Sequence, residues 1–136
     1  SMTWRAEAAL HFATNGNNLA MTIASGGQVS QPVETLTTGN TVDIDFSLSN
    51  LQTFTLDGSE SQTELTGSNY AEGRTVRLMI DMANDSHTGG ITVPSNWANV
   101  GTDPSFLTNA NVVLCELRSW TAAEGGVTAR WSEQYY

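Results

Sequence analysis

The chain has 136 residues, enough for one domain with a sizeable core and too few for two independent cores. Hydrophobic residues make up 39% and charged residues only 14%, too apolar for a disordered chain and too weakly charged for a coiled coil. Fourteen acids face five bases, all of them Arg, and a net charge of −9 argues against nucleic acids and anionic membranes as partners.

No stretch approaches the roughly eighteen consecutive apolar residues of a membrane helix, so no membrane insertion is expected. No basic segment followed by an apolar run opens the chain, so no secretion signal is expected either. Ser1-Met2 reads as a cleaved-tag remnant ahead of a start at Met2 and is kept out of fold reasoning. Cys115 is the single cysteine, which excludes an internal disulfide and leaves no cysteine cluster for zinc. Thr, Ser and Asn, at 18, 13 and 11, greatly outnumber the Lys, Arg and Glu that usually fill exposed helix faces. Strands and turns are the expected surface.

Alternation begins near the start. Trp4, Ala6, Ala8, Leu10 and Phe12 share one parity, and Arg5, Glu7 and His11 the other. Leu19, Met21 and Ile23 resume it after Asn15-Gly16-Asn17-Asn18, which predicts a β-hairpin. A helix over Arg5–Phe12 is the competing reading, and five alternating apolar positions favour the strand. Gly26-Gly27 breaks the pattern, and the polar stretch from Gln28 to Asn40, with Pro32, reads as a loop or an edge strand.

Val42, Ile44, Phe46 and Leu48 then alternate with Asp43, Asp45 and Ser47, a strand with one face in solvent. Thr53–Leu56 and Gln62–Thr66 flank the turn signal Asp57-Gly58-Ser59. Val76, Leu78, Ile80 and Met82 point one way in the strand after Gly73. Asp81 to Gly90 is a turn-rich connection, and Ile91-Thr92-Val93 is a short strand stopped by Pro94. Ser95 to Asn111 is polar, with Trp97, Gly101 and Pro104. Val112–Trp120 is apolar on both faces at its start, which predicts a covered central strand. Val127, Ala129 and Trp131 form the last alternating run, with Trp131 expected inside.

The expected fold is therefore all-β, an antiparallel, jelly-roll-like β-sandwich of about eight to ten short strands. Residues 2–40 supply a hairpin and a polar loop, and residues 41–136 the main domain.

Catalytic parts are scarce. His11 falls on the polar face of the first strand and His87 in the turn Asn84–Gly90, both read as solvated. No G-x-S-x-G elbow exists, and Cys115 lies in a strand expected to be buried. Asp43 and Asp45 share a strand face, about 7 Å apart. Nothing apolar beside them would raise either pKa as a general acid needs, so a solubilising face is the simpler reading. Asp81-Met82-Ala83-Asn84-Asp85 could offer oxygen ligands to calcium, but its spacing does not match a D-x-D-x-D-G loop. An ordinary Asn-Asp turn fits it better. The double glycines lack a following Lys and do not open a helix, so they are turns and not phosphate cradles. No catalytic residue, metal or cofactor is expected.

The aromatic residues carry more information. Trp97 lies in the polar loop Pro94-Ser95-Asn96-Trp97-Ala98-Asn99-Val100-Gly101. It either folds back as a lid on the core or offers its face, with Asn96 and Asn99, to a sugar or a protein.

The segment from about Thr41 to Trp131, some two thirds of the chain, resembles a small β domain of bacteriophage tail-fibre and other virion structural proteins. The matching pieces run in order: Val42–Leu48, the hairpin Thr53–Gly58, Ser68-Asn69-Tyr70 with Gly73, and Val76–Ile80. Ile91-Thr92-Val93-Pro94-Ser95-Asn96-Trp97 follows, with Val100-Gly101 and Pro104, then Val113–Leu117 and Val127–Trp131. The strand-Pro-x-x-Trp element is the most telling of these.

The resemblance implies a non-enzymatic virion appendage module, commonly trimeric, assembled in the host bacterial cytoplasm beside other virion proteins, with a host-surface glycan as a further contact. A carbohydrate-binding module or adhesin is the alternative. In a trimer, Trp4, Trp120, Tyr135 and Tyr136 are the candidates for burial between subunits.

Overall fold

The computed structural model describes residues 9–14, 18–56, 62–82, 90–101 and 112–134. The candidates Trp4, His87, Tyr135 and Tyr136, and the 83–85 part of the calcium candidate, lie outside those residues. The described chain is built of strands, as the alternation predicts, and forms two compact units, Ser1–Val33 and Glu34–Tyr136.

The first unit contains β1 (Leu10–Thr14), β2 (Asn18–Ile23) and β3 (Val29–Ser30) in one sheet, in that order. β1 and β2 pair antiparallel, with Leu10 opposite Ile23 and Phe12 opposite Met21, so from Leu10 on the strand reading stands over the helix. The register shifts between Phe12 and Ala13, and Ala13 then faces Leu19. β3 adds Val29 opposite Ile23.

The boundary between the units falls within β4 (Val33–Thr35), and the second unit begins at Glu34. The stretch read as polar loop is thus tied down earlier than position 40: the Leu36 N–H donates to the Thr53 carbonyl, and its side chain packs on the core. Next come β5 (Thr41–Asp45), β6 (Leu51–Thr55), β7 (Thr63–Ser68), β8 (Thr75–Asp81) and β9 (Ile91–Thr92). β10 (Ala98–Gly101), β11 (Val112–Ser119) and β12 (Val127–Gln134) are the last strands among the described residues.

Two sheets result, a six-stranded one in the order β10-β12-β11-β8-β6-β4 and a three-stranded one in the order β5-β7-β9. From β4 to β10 the chain alternates between them, so the neighbours β4-β6-β8 in one sheet and β5-β7-β9 in the other are two elements apart in sequence. This arrangement corrects the antiparallel, jelly-roll-like expectation. β5–β7, β7–β9, β6–β8 and β10–β12 pair parallel, and only β8–β11 and β11–β12 pair antiparallel among the described pairs of this unit. Parallel strands need a long crossover, commonly a helix. Here a strand of the other sheet lies between β5 and β7, β6 and β8, and β7 and β9, while β11 of the same sheet lies between β10 and β12. The strands flanking the expected turn, β6 and β7, accordingly lie in different sheets and do not pair as a hairpin, and Asp57-Gly58-Ser59 lies outside the described residues.

Alternation decides which side chains go inside. Val42, Ile44 and Phe46, then Leu65 and Ile91, meet Phe54, Leu56, Val76, Leu78, Ile80 and Met82 in one core. Val113, Cys115, Leu117, Val127, Ala129 and Trp131 extend it under the antiparallel half of the large sheet. Full burial of each such aliphatic side chain contributes about 1.5–3 kcal/mol, which sets the inward parity of every strand. β11 is central in the sheet but covered on one face only, since Leu114 on the outer face is 49% exposed. Its apolar start therefore reflects an exposed patch and not a second buried face.

Candidate functional site

Two regions of the second unit bring chemistry-bearing side chains together. The first is a corner where the turn after β5, the turn after β7 and the start of β8 converge. Asp45 Oδ1 accepts from the Ser47 N–H (2.7 Å), Ser47 Oγ (2.6 Å) and Asn69 Nδ2 (2.9 Å). Asn69 takes the left-handed conformation (φ 52°) that places its amide there, a region asparagine tolerates better than most residues. Partial burial would raise the Asp45 carboxyl, but these donors, helped by the charge of Arg74, outweigh it and hold the group below the usual aspartate range.

Buried Gln52 braces the same turn from below, its Nε2 donating to the carbonyls of Asp45 (2.8 Å) and Ser49 (2.9 Å). Arg74 Nη1 donates to the Phe46 carbonyl at 2.7 Å. Phe46, Leu48, Asn50, Gly73, Arg74 and Thr75 line an open pocket of about 440 Å³ beside it. Three donors already converge on Asp45 Oδ1, so this corner is built for rigidity more than for proton transfer.

Tyr70 closes the corner on its inner side. Its ring lies 5.2 Å from that of Phe46, and together with Trp97 it covers Gly67. Burial pushes the Tyr70 hydroxyl up, the adjacent Trp97 indole opposes this, and Glu124 and Asp43 add to it. Neither Tyr70 Oη nor Trp97 Nε1 closes a hydrogen bond of ordinary geometry.

The strand-Pro-x-x-Trp element explains how Trp97 comes to be there. The Pro94 carbonyl accepts from the Trp97 N–H at 3.0 Å, a turn that folds the indole inward until only 4% is exposed. The lid reading describes this position, and the indole offers no open face for stacking. Asn96 and Asn99 stay at the surface with local partners: Asn96 Nδ2 donates to Glu124 Oε2 (2.9 Å), and Asn99 Oδ1 accepts from Trp131 Nε1 (3.1 Å).

The second region is the outer face of the six-stranded sheet. Met79 and Leu114 are direct cross-strand partners, 42% and 49% exposed, and Val100 on edge strand β10 is exposed as well. Along the next row Arg77 faces Glu116, which in turn faces Arg130, and the Arg77–Glu116 ion pair spans 3.9 Å. Trp120 is 57% exposed, with the Arg118 guanidinium 5.2 Å from its ring centroid and its Nε1 donating to Thr128 Oγ1 at 3.0 Å. Three of the five arginines thus border one apolar surface in a strongly acidic chain.

The opposite face, on β5 and β7, carries Asp43, Asp45 and Glu64. Asp43 accepts from Thr66 Oγ1 (2.9 Å) and Ser68 Oγ (2.6 Å), as a solvated polar face would. His11 is exposed, with Nδ1 at 3.1 Å from Thr22 Oγ1. Among the described residues no three His, Cys, Asp or Glu side chains converge as a metal site, and no helix is long and apolar enough to cross a membrane. Burial pushes the Cys115 thiol well up, so its thiolate is strongly disfavoured.

The Met79–Leu114 patch escaped sequence reasoning, because an apolar run on both parities of β11 reads as burial. Its only signal was the mismatch between Leu114 and the polar neighbours Glu116 and Arg118 on the same parity. No family model matches the chain, and no curated protein or solved structure matches it either.

Proposed function

We propose that the protein is a non-enzymatic structural module of a bacteriophage particle, a tail-fibre, knob or capsid-appendage component that works through its surfaces. The observation that carries this reading is the outer face of the six-stranded sheet, where Met79 pairs with Leu114 in the open, bordered by Arg77, Arg118, Arg130 and Trp120. Paired exposed apolar residues with arginine and tryptophan at the margin have the make-up of a contact surface. The resemblance of the Thr41–Trp131 segment to virion β domains supplies the setting. A homotrimer fits it, with neighbouring virion proteins as partners of the exposed face.

A carbohydrate-contact reading draws on Trp120 in place of Trp97, because the Trp120 ring is the exposed one. Antibodies raised against the protein, applied to purified particles of the encoding phage, test the main reading. Labelling at one fixed place on the particle is the expected result. Protein recovered only in the soluble lysate, with unlabelled particles, would overturn it.

A further inference from the structure

The N-terminal sheet leaves an apolar face that its own three strands do not cover. Directly opposed residues of antiparallel strands project to the same side. The pairs Leu10–Ile23 and Phe12–Met21, with Val29 beside Ile23, therefore form one apolar face across β1, β2 and β3. His11, Thr22 and Ser30 occupy the other side, where His11 and Thr22 touch. None of Leu10, Phe12, Met21, Ile23 and Val29 is buried, and Phe12 and Val29 are 45% and 58% exposed. Exposed apolar residues gathered on one face in this way mark an interaction surface.

Charge indicates the occupant. Residues 1–33 contain one acid, Glu7, and one base, Arg5, so the segment is formally neutral. Residues 34–136 contain thirteen acids and four arginines and hold the whole net charge of −9. Two copies approaching through their acidic units repel one another. Through the neutral sheet they meet with less of that cost, and each brings the same apolar face.

We propose that this face, Leu10, Phe12, Met21, Ile23 and Val29, is the self-association surface of the protein, its occupant the same sheet of another copy. The proposal rests on the multimeric reading above and names the surface that makes the multimer. Because the association buries apolar groups while like-charged units are held nearby, added salt strengthens it by screening the repulsion. An assembly held by arginine-to-carboxylate contacts would weaken in salt instead.

Sedimentation velocity on the full chain tests this with wild type and the variants Phe12→Glu, Thr22→Glu and Leu114→Glu, each checked for β circular dichroism. Wild type should sediment as a multimer whose dissociation midpoint moves to at least several-fold lower protein concentration between low and high salt. Phe12→Glu should give the 14.6 kDa monomer with its β signal kept. Thr22→Glu, on the opposite face of the same sheet, and Leu114→Glu, on the large sheet, should keep the multimer. A multimer in Phe12→Glu, or dissociation in Thr22→Glu as readily as in Phe12→Glu, overturns the surface and leaves the multimeric reading standing. A wild type that is monomeric at every concentration overturns both.

Discussion

Tyr70 lies so close over Gly67 that a Cβ at position 67 would come within 2.8 Å of the tyrosine Cζ and 2.9 Å of Trp97 Cζ2. Tyr70 stacks at a tilt on Phe46, and the Pro94 turn holds Trp97 inward, so the added methyl would have to displace a packed ring. The requirement for glycine is thus one of space. The backbone there is in the ordinary strand range.

Gly67→Ala should therefore destabilise the protein by about 1–3 kcal/mol, the usual cost of overpacking a core. Gly39→Ala, where the nearest atom would be 3.7 Å away, should change stability by less than about 1 kcal/mol. Urea unfolding of the two variants separates them, and equal midpoints would show that the aromatic corner is loose.

Asp45 should contribute to acid unfolding. Its carboxyl is held below the usual aspartate range in the folded chain, so the folded state binds its proton less readily than the unfolded state. The stability it contributes is present above an unfolded pKa of about 4 and is lost as pH falls through the lower folded value. Asp45→Asn should give a shallower loss of stability on the acid side, measured by urea midpoints from pH 6 down to about 2. An unchanged acid slope would remove Asp45 from that account.

Cys115 should be inert in the native protein. It is 3% exposed beneath β11, and burial disfavours the thiolate that alkylating reagents require. Labelling with iodoacetamide at pH 8 should proceed at the rate of global opening and accelerate in parallel with urea unfolding. Rapid native labelling would mean that β11 or β12 opens locally.

Trp120 should matter for contact and little for folding. More than half exposed, it holds one hydrogen bond to Thr128 and one arginine over its ring, so Trp120→Ala should cost less than about 1 kcal/mol. Under the proposed function the same variant should lose incorporation into particles. Incorporation at wild-type levels would move the contact elsewhere.

The sequence makes the strands legible because burial imposes period two on Val42-Ile44-Phe46, Val76-Leu78-Ile80-Met82 and Val127-Ala129-Trp131. Period two does not say which strand lies alongside or in which direction, and parallel pairing across two sheets stayed hidden for that reason. β10 was hidden too, since Ala98–Gly101 is wholly exposed and shows no alternation. At the candidate site the sequence pointed to Trp97, but the hydrogen bond between Pro94 and Trp97 that turns it inward depends on backbone geometry. Gln52 would read as a surface residue, and only the two carbonyls it meets at Asp45 and Ser49 account for its burial.

Absolute mass in solution, by light scattering after size exclusion at several concentrations and salt levels, tests the surface-driven structural role most directly. A stable multimer is expected, near three times 14.6 kDa for the trimer, and more persistent at high salt. A single species of 14.6 kDa under every condition would contradict it.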